Sequence, residues 1–426
     1  ESKRDNYYLF RRVRDGVTHI ELNTLLSRFD YSDRWTEALE MKAALELNQS
    51  ERTSLTALAP QDPQDFPEAD FLFGEQINYE SLRLSFDGNG QLSTSQMLGF
   101  GGEVVHSRVP DGLLRSNYNI FGDLEYLGQV VTFRGADLRV VLDKKREIRS
   151  AYVQLESDWG ERLQTTFGMR YDAYNDVDGR ANPRAAVVLE HEKGKVFKLI
   201  YGEAYRAPSL GDLYDEESGL TSGNTDLKPS TIRSLELSYG QTTEAMFWST
   251  VLFANWIDDL IGFKEQNGTV FLDNVANNES RGLEFEWMYK PSKEWTLAGN
   301  LTHLFVNKTD LGQAIGLSPS EALAPNTYGN VSLTWRSDEH WQSSVMLNGR
   351  SEVDVLLDDE ALFLVDWTLF YRFASAHELK LLAHNIMDKT YFTGSAVALG
   401  MLNGQTIQQY PARGRFIELS YRYHFN

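Results

Sequence analysis

The side chains able to do chemistry are spread along this chain in a way that favours binding over bond-making. Glu284 and Glu286 offer the two carboxylates that acid–base work needs. They stand two positions apart on one face of an alternating strand, where a solvated wall is the plainer account. The histidines form no ligand cluster, and cysteine is absent, so thiolate metal sites and disulfides drop out. There is no metalloprotease helix motif, no nucleophile elbow and no P-loop. Gly99-Phe100-Gly101-Gly102 lies inside a strand pattern, which suits close packing or a bulge better than a phosphate cradle. The expectation is a protein that is not an enzyme, with no resident cofactor and no metal.

Candidate binding residues are few. Arg206 has the strand parity of Lys198 and offers a cationic contact for an anionic ligand; the alternative is a salt bridge to a neighbouring carboxylate. Asp212, Tyr214, Asp215, Glu216 and Glu217 follow closely. With Glu352, Asp354, Asp358, Asp359 and Glu360 they make a set of acidic loops. Clustered loop carboxylates can hold Ca²⁺, and plain surface charge explains them equally. With 61 acidic against 41 basic residues the net charge is −20, which argues against nucleic acid as a partner.

The elements that position these residues are alternating strands. In Phe416–Phe425, Ile417, Leu419, Tyr421, Tyr423 and Phe425 point one way, and Glu418, Ser420, Arg422 and His424 the other. Thr36–Asn48, Ala151–Trp159, Gln164–Tyr171, Leu283–Lys290 and Val331–Arg336 alternate likewise. Tight turns are expected at Asn48–Glu51, at Asp87-Gly88-Asn89-Gly90, at Gly160-Glu161, and near Lys193-Gly194, Pro291-Ser292-Lys293 and Ser337-Asp338-Glu339. Long connections are expected over 107–145, 207–230, 258–279, 307–324 and 389–413. Short turns at one end and long loops at the other suit an outer-membrane barrel. A propeller would repeat a blade motif every roughly 40–50 residues, and none is visible. No stretch approaches the ~20 apolar residues of a membrane helix.

At Tyr201–Pro229 the chain resembles a known family. Tyr205-Arg206-Ala207-Pro208, then Gly223-Asn224-Thr225-Asp226-Leu227-Lys228-Pro229, is similar to the barrel signature of TonB-dependent outer-membrane receptors of siderophore-receptor type. Arg170-Tyr171-Asp172, Asn182-Pro183-Arg184, Arg281-Gly282-Leu283-Glu284, Asn385–Tyr391 and Tyr410-Pro411 fall in the family's order. Ser230 stands where the family usually has Glu, and Asn426 follows the terminal aromatic Phe425.

The resemblance implies an all-β fold, a transmembrane antiparallel barrel, over one domain, 1–426. Counting hairpins gives roughly nineteen strands against the family's roughly twenty-two. Glu1 is then expected in an extracellular loop, and the family's plug and TonB-box peptide are not recognisable. The implied function is active uptake of a scarce nutrient, foremost a ferric siderophore, with cobalamin or another non-haem nutrient as the alternative cargo. Haem is disfavoured because 209–223 holds no histidine. Implied partners are the TonB–ExbB–ExbD complex, outer-membrane lipid with lipopolysaccharide, and the barrel-assembly machinery, whose signal would be Tyr421, Tyr423 and Phe425. The implied location is the outer membrane of a Gram-negative bacterium. The competing readings are a plugless porin-like channel or surface receptor, and a soluble β-rich binding protein.

Overall fold

A strand whose side chains alternate between apolar and polar needs two different solvents, and nearly every strand here does so. The computed structural model describes residues 2–5, 19–59, 67–120, 124–133, 139–214, 223–266, 269–310, 325–337, 340–353, 360–373, 376–395, 408–412 and 414–423. They form a 19-stranded antiparallel sheet and a small two-stranded one. In chain order the strands are β1 (Ser2–Asp5), β2 (His19–Thr36), β3 (Leu39–Ala59), β4 (Phe71–Ser93), β5 (Gln96–Tyr118), β6 (Tyr126–Thr132), β7 (Arg139–Asp158), β8 (Leu163–Tyr174), β9 (Arg180–Glu192) and β10 (Lys195–Arg206). After a short helix, α1 (Leu210–Tyr214), come β11 (Ser230–Thr242), β12 (Met246–Gln266), β13 (Thr269–Tyr289), β14 (Trp295–Asp310), β15 (Thr327–Arg336) and β16 (Trp341–Arg350). The chain finishes with β17 (Leu362–Phe373), β18 (His377–His384), the pair β19 (Phe392–Ser395) and β20 (Gln408–Pro411), and β21 (Phe416–Tyr423).

Most strands pair with their chain neighbours. β5 passes from β7 to β6 beyond Leu113, and β18 pairs with β21 across the β19–β20 hairpin. The outward face is an inverted core. Leu419 is 71% exposed, Leu84 58% and Phe167 55%, a cost in water that a lipid solvent removes. The opposite face carries ion pairs: Arg83 with Glu103, and Arg170 with Glu103 and Asp172. Among the described residues no helix is long and apolar enough to cross a membrane.

Aromatic rings crowd the short-turn end. Trp341 stacks on Tyr371 at 4.1 Å, and Phe373, His377 and Tyr423 continue the run. A second run joins Phe197, Tyr239 and Trp248. Such a belt marks a membrane–water boundary. Trp341, Tyr371 and Tyr423 belong to it, whereas Trp367 donates its indole N–H to Ser343.

Several expected turns are corrected. Asn48–Glu51 lies within β3 and Asp87–Gly90 within β4; the turns fall at Glu37-Ala38 and Thr94-Ser95 instead. The glycines that suggest a hairpin answer a steric demand across strands. Gly88 stands between Met41 and Phe100, and a Cβ there would lie 2.5 Å from the Phe100 ring. The Gly160, Gly194 and Pro291 turns stand as expected.

Expected loops are corrected as well. Much of 107–145 is strand, with β5 running to Tyr118 and β7 starting at Arg139. Most of 258–279 is also strand, in β12 and β13, with register shifts around Leu260 and a positive φ at Asp259. In β5 the adjacent Leu113 and Leu114 are both buried, so both faces are covered, and in β12 and β13 the register shifts interrupt the pleat; alternation no longer marks either stretch. Within 389–413 lie β19 and β20. Ser2–Asp5 pairs with His19–Leu22, and Glu1, expected in a loop, lies outside the described residues.

Candidate functional site

The long-connection end gathers the molecule's buried core. Leu114, Leu213 and Tyr118 are each at most 2% exposed. The described parts of the connection between β10 and β11, 207–214 and 223–229, which carry the signature residues, lie in this region as a strap. Ser209 and Asp212 close α1 reciprocally: the Ser209 N–H donates to the Asp212 carboxylate at 2.8 Å, and the Asp212 N–H to Ser209 Oγ at 3.0 Å. This capping arrangement satisfies amides that a single helical turn otherwise leaves open. Leu210 packs against Val109 and Leu114 of β5, with Phe73, Ile77 and Tyr214 alongside.

Both ends of the strap are pinned. On the incoming side Arg146 of β7 donates to the Pro208 carbonyl at 2.8 Å. The Tyr205 and Tyr174 hydroxyls meet at 2.7 Å. On the outgoing side the Asn224 N–H donates to the Asp212 carbonyl at 2.9 Å, and Asn224 Nδ2 to the Leu272 carbonyl of β13. Asn274 holds Lys228 by both backbone groups, and Ser230 Oγ donates to the Asp259 carbonyl at 2.8 Å. Leu227 is 4% exposed, and Pro208 is fully buried.

The candidate site residues divide accordingly. Arg206 closes β10 opposite Ser230, is exposed, and among the described residues forms no ion pair, so the salt-bridge alternative is not realised there. Asp212 has its carboxylate engaged in the helix cap. Tyr214 lies under the Lys144 ammonium, 4.7 Å from its ring centre. Burial raises the Tyr214 phenol above its ordinary pKa, the Asp176 charge adds to this, and Arg146 opposes it. Asp215, Glu216, Glu217, Asp354, Asp358, Asp359 and Phe425 lie outside the described residues. Glu284 and Glu286 sit opposite Thr302 and Asn300, neutral partners on the inward face. Among the described residues no group of three or more His, Asp or Glu is placed to hold a metal ion.

Sequence reasoning misses Arg146, Asp176 and Asn274. Arg146 lies just past a stretch expected as a loop and Asn274 within one, and their partners are remote in sequence. A second motif, Asn385–Tyr391, is also a scaffold. Asn385, wholly buried with φ 49°, exchanges side-chain hydrogen bonds with both backbone groups of Lys389 and donates its own N–H to Asp366.

The TonB dependent receptor-like β-barrel family matches residues 2–386. The chain belongs to that family. Members are receptors and transporters rather than enzymes, and they are outer-membrane proteins of Gram-negative bacteria. Among curated proteins this receptor is similar to the vitamin B12 transporter BtuB of Vibrio cholerae, 22% identical over 66% of this chain and 43% of that protein. The chain thus spans under half the length of the curated relatives it matches. Among solved structures it resembles the siderophore receptor PirA of Acinetobacter baumannii (TM-score 0.70, 15% identity, 96% of this chain and 63% of that one). The copper transporter OprC gives 0.70 at 14% identity, over 96% and 68%. The ferric enterobactin receptor PfeA of Pseudomonas aeruginosa gives 0.69 at 16%, over 96% and 62%. In this barrel the described parts of the signature strap and the Asn385 turn each tie a long connection to the wall.

Proposed function

We propose that this chain is barrel wall from an outer-membrane active transporter that imports a scarce nutrient, foremost a ferric siderophore, with energy delivered through TonB, ExbB and ExbD. The observation that carries the reading is the family match across the wall. A lipid-facing exterior, a polar interior and a strapped outer mouth accompany it. The protein resides in the Gram-negative outer membrane beside lipopolysaccharide, placed there by the barrel-assembly machinery through the Tyr421–Phe425 terminus. Cobalamin is the second cargo, favoured by the similarity to a vitamin B12 transporter. A wide wall studded with fixed polar groups suits a large hydrated cargo better than bond chemistry.

Arg206 is the cargo contact favoured here, because it is exposed at the mouth with its guanidinium unengaged among the described residues. It would meet anionic oxygens, for which a planar fork of donors is suited. Tyr214 and Asp212 support it from the strap, and Asp215, outside the described residues, follows them in sequence.

The test is uptake in a host stripped of its own siderophore and cobalamin receptors and carrying the full receptor gene. Radiolabelled iron in ferric siderophores and radiolabelled cobalamin are supplied with and without TonB. TonB-dependent accumulation of one of them supports the reading. Entry that persists without TonB makes the protein a passive channel.

A further inference from the structure

The β10–β11 strap does more than join two neighbouring strands. It reaches back past the β8–β9 hairpin and docks on β7, and one side chain binds all three. Arg146 on β7 donates Nε to the two carboxylate oxygens of Asp176, at 2.8 and 3.0 Å, in the β8–β9 turn. Its Nη1 donates to the Pro208 carbonyl on the strap at 2.8 Å. The guanidinium also lies 5.5 Å from the Tyr174 ring, and Tyr174 in turn holds Tyr205, the neighbour of Arg206. The Arg146 side chain is 10% exposed and that of Asp176 3%.

We propose that Arg146 is a latch that holds the start of the strap, 207–214, docked on β7 before any cargo arrives, and so fixes where Arg206 stands. A buried ion pair contributes little net stability compared with apolar packing of the same volume, and is best explained by what it positions. The apolar contacts of Leu210 are undirected and leave the strap free to slide, whereas one directed hydrogen bond to the Pro208 carbonyl, from a fork that Asp176 holds in place, sets its register. Among the described residues Nη2 of Arg146 is enclosed with no hydrogen-bond partner, so the closed latch keeps one donor unmet there and is less costly to open than a fully bonded one. Arg146 is a positioning residue. Its consequence for cargo rests on the import reading; the fastening of the strap does not.

The chain has no cysteine, so spin labels can be placed cleanly. Gly211→Cys on the strap is sterically open, its Cβ meeting only Ser209 Oγ at 3.6 Å, and Arg149→Cys on β7 is at an exposed site. Pulsed electron–electron resonance between nitroxides at these sites, in the full receptor inserted in outer membranes, should give one narrow distance. Arg146→Met combined with Asp176→Asn should broaden it and add a longer population, with the heat-modifiable gel shift of a folded barrel unchanged. Arg146→Lys keeps the charge beside Asp176 but cannot serve both acceptors as a fork, so it should also broaden the distribution while folding normally. A distribution as narrow in Arg146→Lys as in the parent overturns the latch, as does a parent distribution already broad without cargo. Neither result depends on whether iron, cobalamin or TonB is involved.

Discussion

Asn274 and Lys228 are joined by a reciprocal pair of hydrogen bonds: the Lys228 N–H donates to Asn274 Oδ1 at 2.8 Å, and Asn274 Nδ2 donates to the Lys228 carbonyl at 3.0 Å. The same Nδ2 donates to the Asp259 carbonyl at 2.7 Å. One carboxamide thereby replaces a strand partner for the end of the signature loop. Asn274→Ala should cost about 1–3 kcal/mol locally by leaving these backbone groups unpaired. Hydrogen exchange of peptides covering Asn224–Ser230 should accelerate while that of β7 and β8 holds. Unchanged exchange over the loop would show the clamp to be dispensable.

The two faces of β21 should respond oppositely to charge. Leu419→Arg puts a cation on the lipid side at mid-strand and should destabilise the barrel by about 2–4 kcal/mol, whereas Ser420→Arg on the inner face should cost far less. Unfolding from lipid bilayers by guanidinium chloride measures both. Equal costs would remove the assignment of lipid to the Leu419 face.

Gly88 and Phe100 should behave as one unit. Gly88→Val drives a side chain into the Phe100 ring and should cost about 1–3 kcal/mol through overpacking. Gly88→Ala in a Phe100→Ala background should recover part of the loss of Phe100 alone, and a double-mutant cycle in bilayer unfolding reads the coupling. Strict additivity would contradict the contact.

Arg206 and Asp212 lie in one strap but should separate in function. Arg206→Ala is expected to weaken cargo binding by roughly tenfold, about 1.4 kcal/mol. Asp212→Asn should leave binding within a factor of two or so, since an amide oxygen still caps Ser209. Calorimetric titration with the cargo identified by uptake decides. An equal loss for both would make the helix cap part of the binding surface.

Tyr214 titrates late. Its folded pKa is raised, so docking of the strap is at full strength below the ordinary tyrosine value of about 10 and weakens as pH climbs through the raised value. A difference absorbance titration of the receptor against Tyr214→Phe should show the missing phenol ionising above that ordinary value. Ionisation at or below it would place Tyr214 in open water.

The wall was legible because its signal is local. Ile417, Leu419 and Tyr421 alternate with Glu418, Ser420 and Arg422, and two solvents sort them without help from any other strand. Asp87-Gly88-Asn89-Gly90 misleads for the opposite reason. Its glycines answer rings on neighbouring strands, and a turn preference takes no account of Phe100 across the sheet. The strap was visible as a motif but not as a mechanism. Arg146 meets Asp176 and Pro208, 30 and 62 positions away, and nothing in its own neighbourhood marks it. Where β12 and β13 shift register around Leu260 the alternation that guided the rest is broken, so 258–279 reads as loop although it is largely strand.

The way the strap crosses a hairpin also orders events during folding. Wall contacts join strands that follow one another along the chain, so each closes a short loop and can form soon after its strand arrives. The Arg146–Pro208 bond has no such shortcut: Asp176 must already be turned and β10 already laid down. Fastening the strap is therefore a late, high-contact-order step, and a receptor caught before it would have these strands paired with 207–214 still undocked.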